Sequence, residues 1–110
     1  MRVFCGEEIA MGPGKADLLE AISETGSISA ASRAMGMSYR RAWLLVDTMN
    51  RCFREPLVIT EKGGPHGGGA GLSDLGAAVL RRYRSMERKA DRAAASDRVV
   101  LASLLAKARK

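Results

Sequence analysis

Within six residues, Ser38, Tyr39, Arg40, Arg41 and Trp43 gather a hydroxyl, two guanidiniums and two aromatic rings. Such a set donates planar, charge-assisted hydrogen bonds and offers flat faces for contact, which suits base edges and phosphates better than proton transfer. The rest of the chain offers no rival chemistry. Cys5 and Cys52 belong to no Cys-x-x-Cys pattern, His66 is the single histidine, and no His, Cys or carboxylate cluster has catalytic or ligand spacing. An enzyme is therefore the least favoured class, and no metal or cofactor is expected. Both cysteines are expected as buried thiols; redox sensing would require an accessible thiol of low pKa.

The elements around this set read as a helix-turn-helix. Ser29 is the expected cap of a short helix with Ala31 and Met35 on its inner face, Gly36 sits where the chain must turn, and Met37 plugs the angle between helices. Ser38 then caps a second helix, in which Ala42, Val46, Met49 and Phe53 recur at helical spacing and face inward. Tyr39, Arg40 and Trp43 are left facing outward at its N-terminal end. Pro56 is expected to mark the end of that helix.

Other segments supply support. Residues 2–11 suggest a short hairpin or an extended edge strand, and a helix from about Lys15 to Thr25 buries Leu18, Leu19 and Ile22 before Gly26 stops it. Leu57 to Glu61 is a β-branched run with Gly71-Leu72 as its antiparallel return. Between them Lys62, Gly63, Gly64 and His66 lie in a glycine-rich tip that lets backbone approach a phosphate or groove closely. That is the wing of a winged helix; the competing reading is a flexible linker. A nucleotide cradle fails because Lys62 precedes the glycines instead of following them into a helix. His66 reads first as a loop residue and second as a phosphate contact.

Ser73 and Asp74 announce a further helix, along which Leu75, Val79, Tyr83, Met86, Ala90 and Ala93 form a stripe of about five turns. This is longer than one small core covers, so a second copy of the helix is the simplest partner, with Val79, Tyr83, Met86 and Ala90 at a two-fold contact. The alternative is that the helix packs back on its own domain and its distal half frays. Ser96-Asp97 is the expected cap of a last helix.

Charge is unevenly placed. Of a formal +6, residues 1–38 carry −2, residues 39–92 carry +5 and the tail +3, so the basic excess begins at the outward-facing arginines and points to a polyanion. At 110 residues the chain makes one small domain with an accessory helix. It lacks an apolar run long enough to span a bilayer and a signal-like start, so a cytoplasmic protein without membrane contact is expected.

From Gly12 to about Leu80 the sequence resembles the N-terminal DNA-binding domain of ModE-type molybdate-responsive regulators, relatives of the LysR-type winged helix. The resemblance is carried by Gly12-Pro-Gly-Lys15, Leu18-Leu-Glu-Ala-Ile22, Glu24-Thr-Gly-Ser-Ile-Ser-Ala-Ala31, the block from Met35 through Ser38-Tyr-Arg-Arg-Ala-Trp43 to Val46, Pro56-Leu-Val58, and Gly63 to Ser73. It implies a mainly α fold with a small β wing, a winged helix-turn-helix over residues 1–72 and a long dimerisation helix with a basic helical tail over 73–110. It further implies a homodimeric regulator that contacts double-stranded DNA through Ser27, Ser29, Ser38, Tyr39, Arg40, Arg41, Trp43, Lys62, Gly63, Gly64 and His66. Regulators of this type continue into β-barrel modules that bind molybdate, whereas this sequence runs to Lys110 in a helical tail. Molybdate control is therefore not expected, and any effector should act through a partner protein or an unseen site. A winged-helix protein-interaction module with little direct DNA contact is the alternative.

Overall fold

A computed structural model describes residues 1–61 and 69–106. Gly6, at φ +62°, lets the chain reverse tightly, so Val3–Cys5 (β1) and Glu8–Met11 (β2) pair antiparallel with Cys5 directly opposite Glu8. Of the two readings of this segment, the hairpin is the one formed. Pro13 then opens Pro13–Thr25 (α1) at a position where its missing N–H is no loss, and Gly26 closes it in the left-handed conformation. Helices Ile28–Ala34 (α2) and Tyr39–Cys52 (α3) follow, then the antiparallel pair Val58–Thr60 (β3) and Ala70–Leu72 (β4), Asp74–Ala93 (α4) and Ala95–Ser103 (α5).

A single core joins these elements. Leu18, Leu19 and Ile22 of α1 meet Ala31, Ala42, Val46 and Met49 of the two following helices, with Met11, Leu57, Val58 and Tyr83 closing the sides. Burial of each large member stabilises by about 1.5–3 kcal/mol before chain entropy is counted. The first thirteen residues of α4 belong to this core: Leu75, Val79, Leu80 and Met86 pack against it and Tyr83 is buried. Arg84, largely covered, ties α4 to α1 by reaching Asp17 at 2.7 Å and Glu20 at 3.7 Å, with Glu87 at 2.9 Å on its own helix.

Several expectations are corrected. α3 stops at Cys52, well before Pro56, because Phe53 turns extended to lay its ring on the core. α5 has no side-chain cap, and Ser96 and Asp97 lie inside it. Its backbone follows α4 across Ala94, whose N–H and C=O bond to Ala90 and Arg98, so no cap is required. The cysteines are not buried thiols: Cys5 is exposed and Cys52 half-buried. Tyr83 faces its own domain, donating its hydroxyl to the carbonyl of Met1. None of the helices described is long and apolar enough to cross a membrane.

Candidate nucleic-acid interface

Local hydrogen bonds set the two-helix unit. Ser27, extended after the left-handed Gly26, caps α2 by accepting the Ala30 N–H at 3.1 Å. Ser29, the expected cap, is instead the second residue of the helix, where its hydroxyl accepts from Arg33 Nη1 at 2.8 Å. Gly36 takes φ +67° at the turn, and the Met37 N–H returns to the Ser32 carbonyl at 3.0 Å. Ser38 caps α3 through the Arg41 N–H at 3.1 Å, as its position predicts.

With Ala42, Val46 and Met49 buried, the opposite face of α3 is open. Tyr39, Arg40, Arg41 and Trp43 are all exposed. The Tyr39 and Trp43 rings, one turn apart, meet edge to face with centroids 6.2 Å apart and planes at 79°, which holds both as one block. Beside them a concavity opens between α2, α3 and the strands of the wing, lined by Ser27, Ser29, Tyr39, Trp43, Thr60 and Glu61 among others. The structure thus brings together four residues singled out from the sequence, and places Ser38, Arg40 and Arg41 at the exposed start of α3. Lys62, Gly63, Gly64 and His66 lie outside the described residues.

The wing is fixed to this surface at its base. Ala70 donates to the Gly26 carbonyl at 2.9 Å, joining β4 to the corner between α1 and α2. On the other strand, Asn50 of α3 accepts the N–H groups of Leu57 and Val58 at 2.9 and 3.1 Å and donates to the Val58 carbonyl at 3.2 Å. Asn50, in the last turn of α3, was not singled out from the sequence; as a poor helix former whose side chain readily bonds backbone, it was the available signal. Leu44, exposed beside Trp43, was also missed; its place opposite Ala42 and Val46 on the helix was the available signal.

Three arginines are engaged by the protein's own carboxylates, and Arg40 and Arg41 are not among them. Arg51 bonds both oxygens of Glu8 and also Asp47, Arg84 holds three carboxylates, and Arg98 reaches Asp91. Arg40 and Arg41 make no ion pair among the described residues, so their guanidiniums stand open to an external anion. Among the same residues, no three His, Cys, Asp or Glu are placed to hold a metal ion.

No protein-family model matches the chain. The molybdenum transport protein ModE of Azotobacter vinelandii is 42% identical over 78 residues, 71% of this chain and 29% of that protein. The DNA-binding transcriptional dual regulator ModE of Escherichia coli K12 is 34% identical over 104 residues, 91% of this chain and 40% of that protein. The chain is homologous to ModE regulators. Matching their N-terminal region, it spans between 29% and 40% of the length of these two ModE relatives. Its fold is that of the CbnR DNA-binding domain in the crystal structure of its DNA complex, with a TM-score of 0.64 at 20% identity, covering 83% of this chain and 99% of that one. The ModE-like chain therefore has a winged-helix fold, mainly α with a small β wing.

Proposed function

We propose that this chain binds double-stranded DNA sequence-specifically and regulates transcription as a homodimer. The observation that carries the reading is the pair of open guanidiniums, Arg40 and Arg41, beside the Tyr39–Trp43 block and a concavity walled by the wing strands. In this reading the start of α3 enters the major groove, Ser27 and Ser29 face the adjacent backbone, and the tip with Lys62, Gly63, Gly64 and His66 approaches the flanking groove. Residues 1–72 carry the DNA surface and 73–110 the dimer contact. The names of the relatives support regulation of transcription; they do not supply an operator or an effector.

The test begins with selection of bound duplexes from a random pool, followed by titration of the selected site. Arg40→Ala should lower affinity by about 1–3 kcal/mol, roughly tenfold to a hundredfold, and relax one operator position if the guanidinium reads a guanine. Arg41→Ala should weaken all sequences alike and flatten the salt dependence if it meets phosphate. Unchanged affinity for both folded variants at low salt would sink the assignment.

The dimer rests on α4. Val79 and Met86 line an apolar groove with Val3, Met11 and Phe53, and Ala90 follows one turn on; Tyr83 contributes only its inner edge because its hydroxyl is held within the domain. Val99, Val100, Leu101, Leu104 and Leu105, in and just after α5, are exposed apolar side chains as well. Met86→Glu would bury one carboxylate per copy at a two-fold contact, so sedimentation should show dimers for the wild type and monomers for the variant, with weaker operator binding through lost avidity. A wild type that stays monomeric well above its operator-binding range would remove the dimer from the proposal.

A further inference from the structure

Two thiols that the DNA surface does not use come together at the far end of α3. Cys5 and Glu8 face each other across the β1–β2 turn, and side chains directly opposite in an antiparallel pair project from the same face. The Glu8 carboxylate lies against the last turn of α3: Arg51 Nη1 and Nη2 donate to its two oxygens, each at 3.1 Å, and the Cys52 thiol donates to Oε2 at 3.6 Å. Glu8 thus gathers both thiols at one carboxylate, Cys5 opposite it across the strand pair and Cys52 hydrogen-bonded to it, and Cys5 bears on the Cys52 thiol. Desolvation, then Cys5, then Glu8 push the Cys52 thiol up to about 11, whereas Cys5 is exposed to solvent. The two positions therefore differ in role: Cys5 meets a solution oxidant first, and Cys52 is the sheltered neighbour.

We propose that Cys5 and Cys52 form an oxidisable dithiol site, which a peroxide closes into a disulfide between the β1–β2 hairpin and the end of α3. In the first step the Cys5 thiolate attacks a peroxide oxygen; the S–O bond forms, the O–O bond breaks, and hydroxide leaves and is protonated to water. Cys5 is then a sulfenic acid. In the second step the Cys52 sulfur, giving up its proton, attacks the Cys5 sulfur; the S–S bond forms, the S–O bond breaks, and a second water leaves. Two thiols lose two electrons and hydrogen peroxide is reduced to two waters. The bond would tether β1 to the end of α3, and Val3 and Phe53, close in sequence to the two cysteines, both line the groove beside α4.

Intact mass of the full chain tests this. The protein is reduced, freed of reductant, treated with hydrogen peroxide at low excess, and capped with N-ethylmaleimide under denaturing conditions. The expected product is a single chain lighter by two hydrogens that takes no maleimide, with one peptide linking residues 5 and 52, and reverts on reduction. Cys52→Ser should leave a Cys5 sulfenic acid that dimedone traps, and Cys5→Ser should leave Cys52 free to take maleimide at a peroxide dose that closes the wild type. A wild-type chain that still takes maleimide on both cysteines, or whose oxidised thiols occur only between chains or as sulfinic acid, would overturn the proposal; this readout needs no variant to fold.

Discussion

Asn50→Ala is expected to destabilise the fold by about 2–4 kcal/mol and to weaken duplex binding without altering the exposed face of α3. Its side chain makes three hydrogen bonds to the start of β3, and both residues it serves, Leu57 and Val58, are buried. Truncation leaves two backbone N–H groups and a carbonyl without that partner where water enters poorly, and an unsatisfied buried donor costs about 1–3 kcal/mol. The better helix propensity of alanine returns only roughly 0.5 kcal/mol. In urea the midpoint should fall with the slope unchanged. Binding should fall as well, because in the proposed mode wing and α3 meet one duplex and Asn50 fixes their relation. Arg40→Ala offers the contrast: it should lower affinity and leave the urea midpoint alone. A wild-type midpoint for Asn50→Ala would show that β3 is held by other contacts.

This contrast also marks what the sequence made legible. Caps and turns are local, so Ser38, Ser73, Gly26 and Gly36 could be read from types and spacing, and their helices stand where expected. Where two local signals competed, the choice failed: Ser27 and Ser29 are both capping residues, and only the left-handed Gly26 before Ser27 makes it the first extended residue. Pro56 was read as a stop although Phe53, drawn to the core, had already ended α3. Long-range facts were out of reach. The stripe on α4 was visible, but not that Tyr83 would find the Met1 carbonyl, nor that Glu8, opposite Cys5, would bond Cys52. For the candidate site, the exposed face of α3 followed from periodicity, whereas the absence of carboxylate partners around Arg40 and Arg41 among the described residues is a property of the assembled surface.

Gly76→Ala is the second large effect, and it runs against helix propensity. In an exposed helix this change stabilises by about 1 kcal/mol. Here a Cβ would stand 2.1 Å from the Leu57 carbonyl oxygen and 3.0 Å from its carbon, both backbone atoms. Leu57 cannot easily retreat: its N–H is held by Asn50 and its carbonyl accepts from the Ser73 N–H at 2.9 Å. α4 would have to move off by roughly 1 Å to reach ordinary contact, drawing Val79 and Tyr83 out of the packing they share with α1 and the hairpin. Overpacking of a fixed site costs about 1–3 kcal/mol, more where backbone must shift, so a net loss of roughly 2–4 kcal/mol is expected. Gly14→Ala is the control, because its Cβ meets nothing within 4 Å and should leave stability unchanged or slightly raised. The melting temperature of Gly76→Ala should fall while that of Gly14→Ala holds. Equal melting temperatures would mean that α4 does not lie closely on Leu57. The helix proposed to carry the dimer contact would then be free to pivot on the winged domain, and Met86→Glu and Asn50→Ala would report on separate bodies rather than on one.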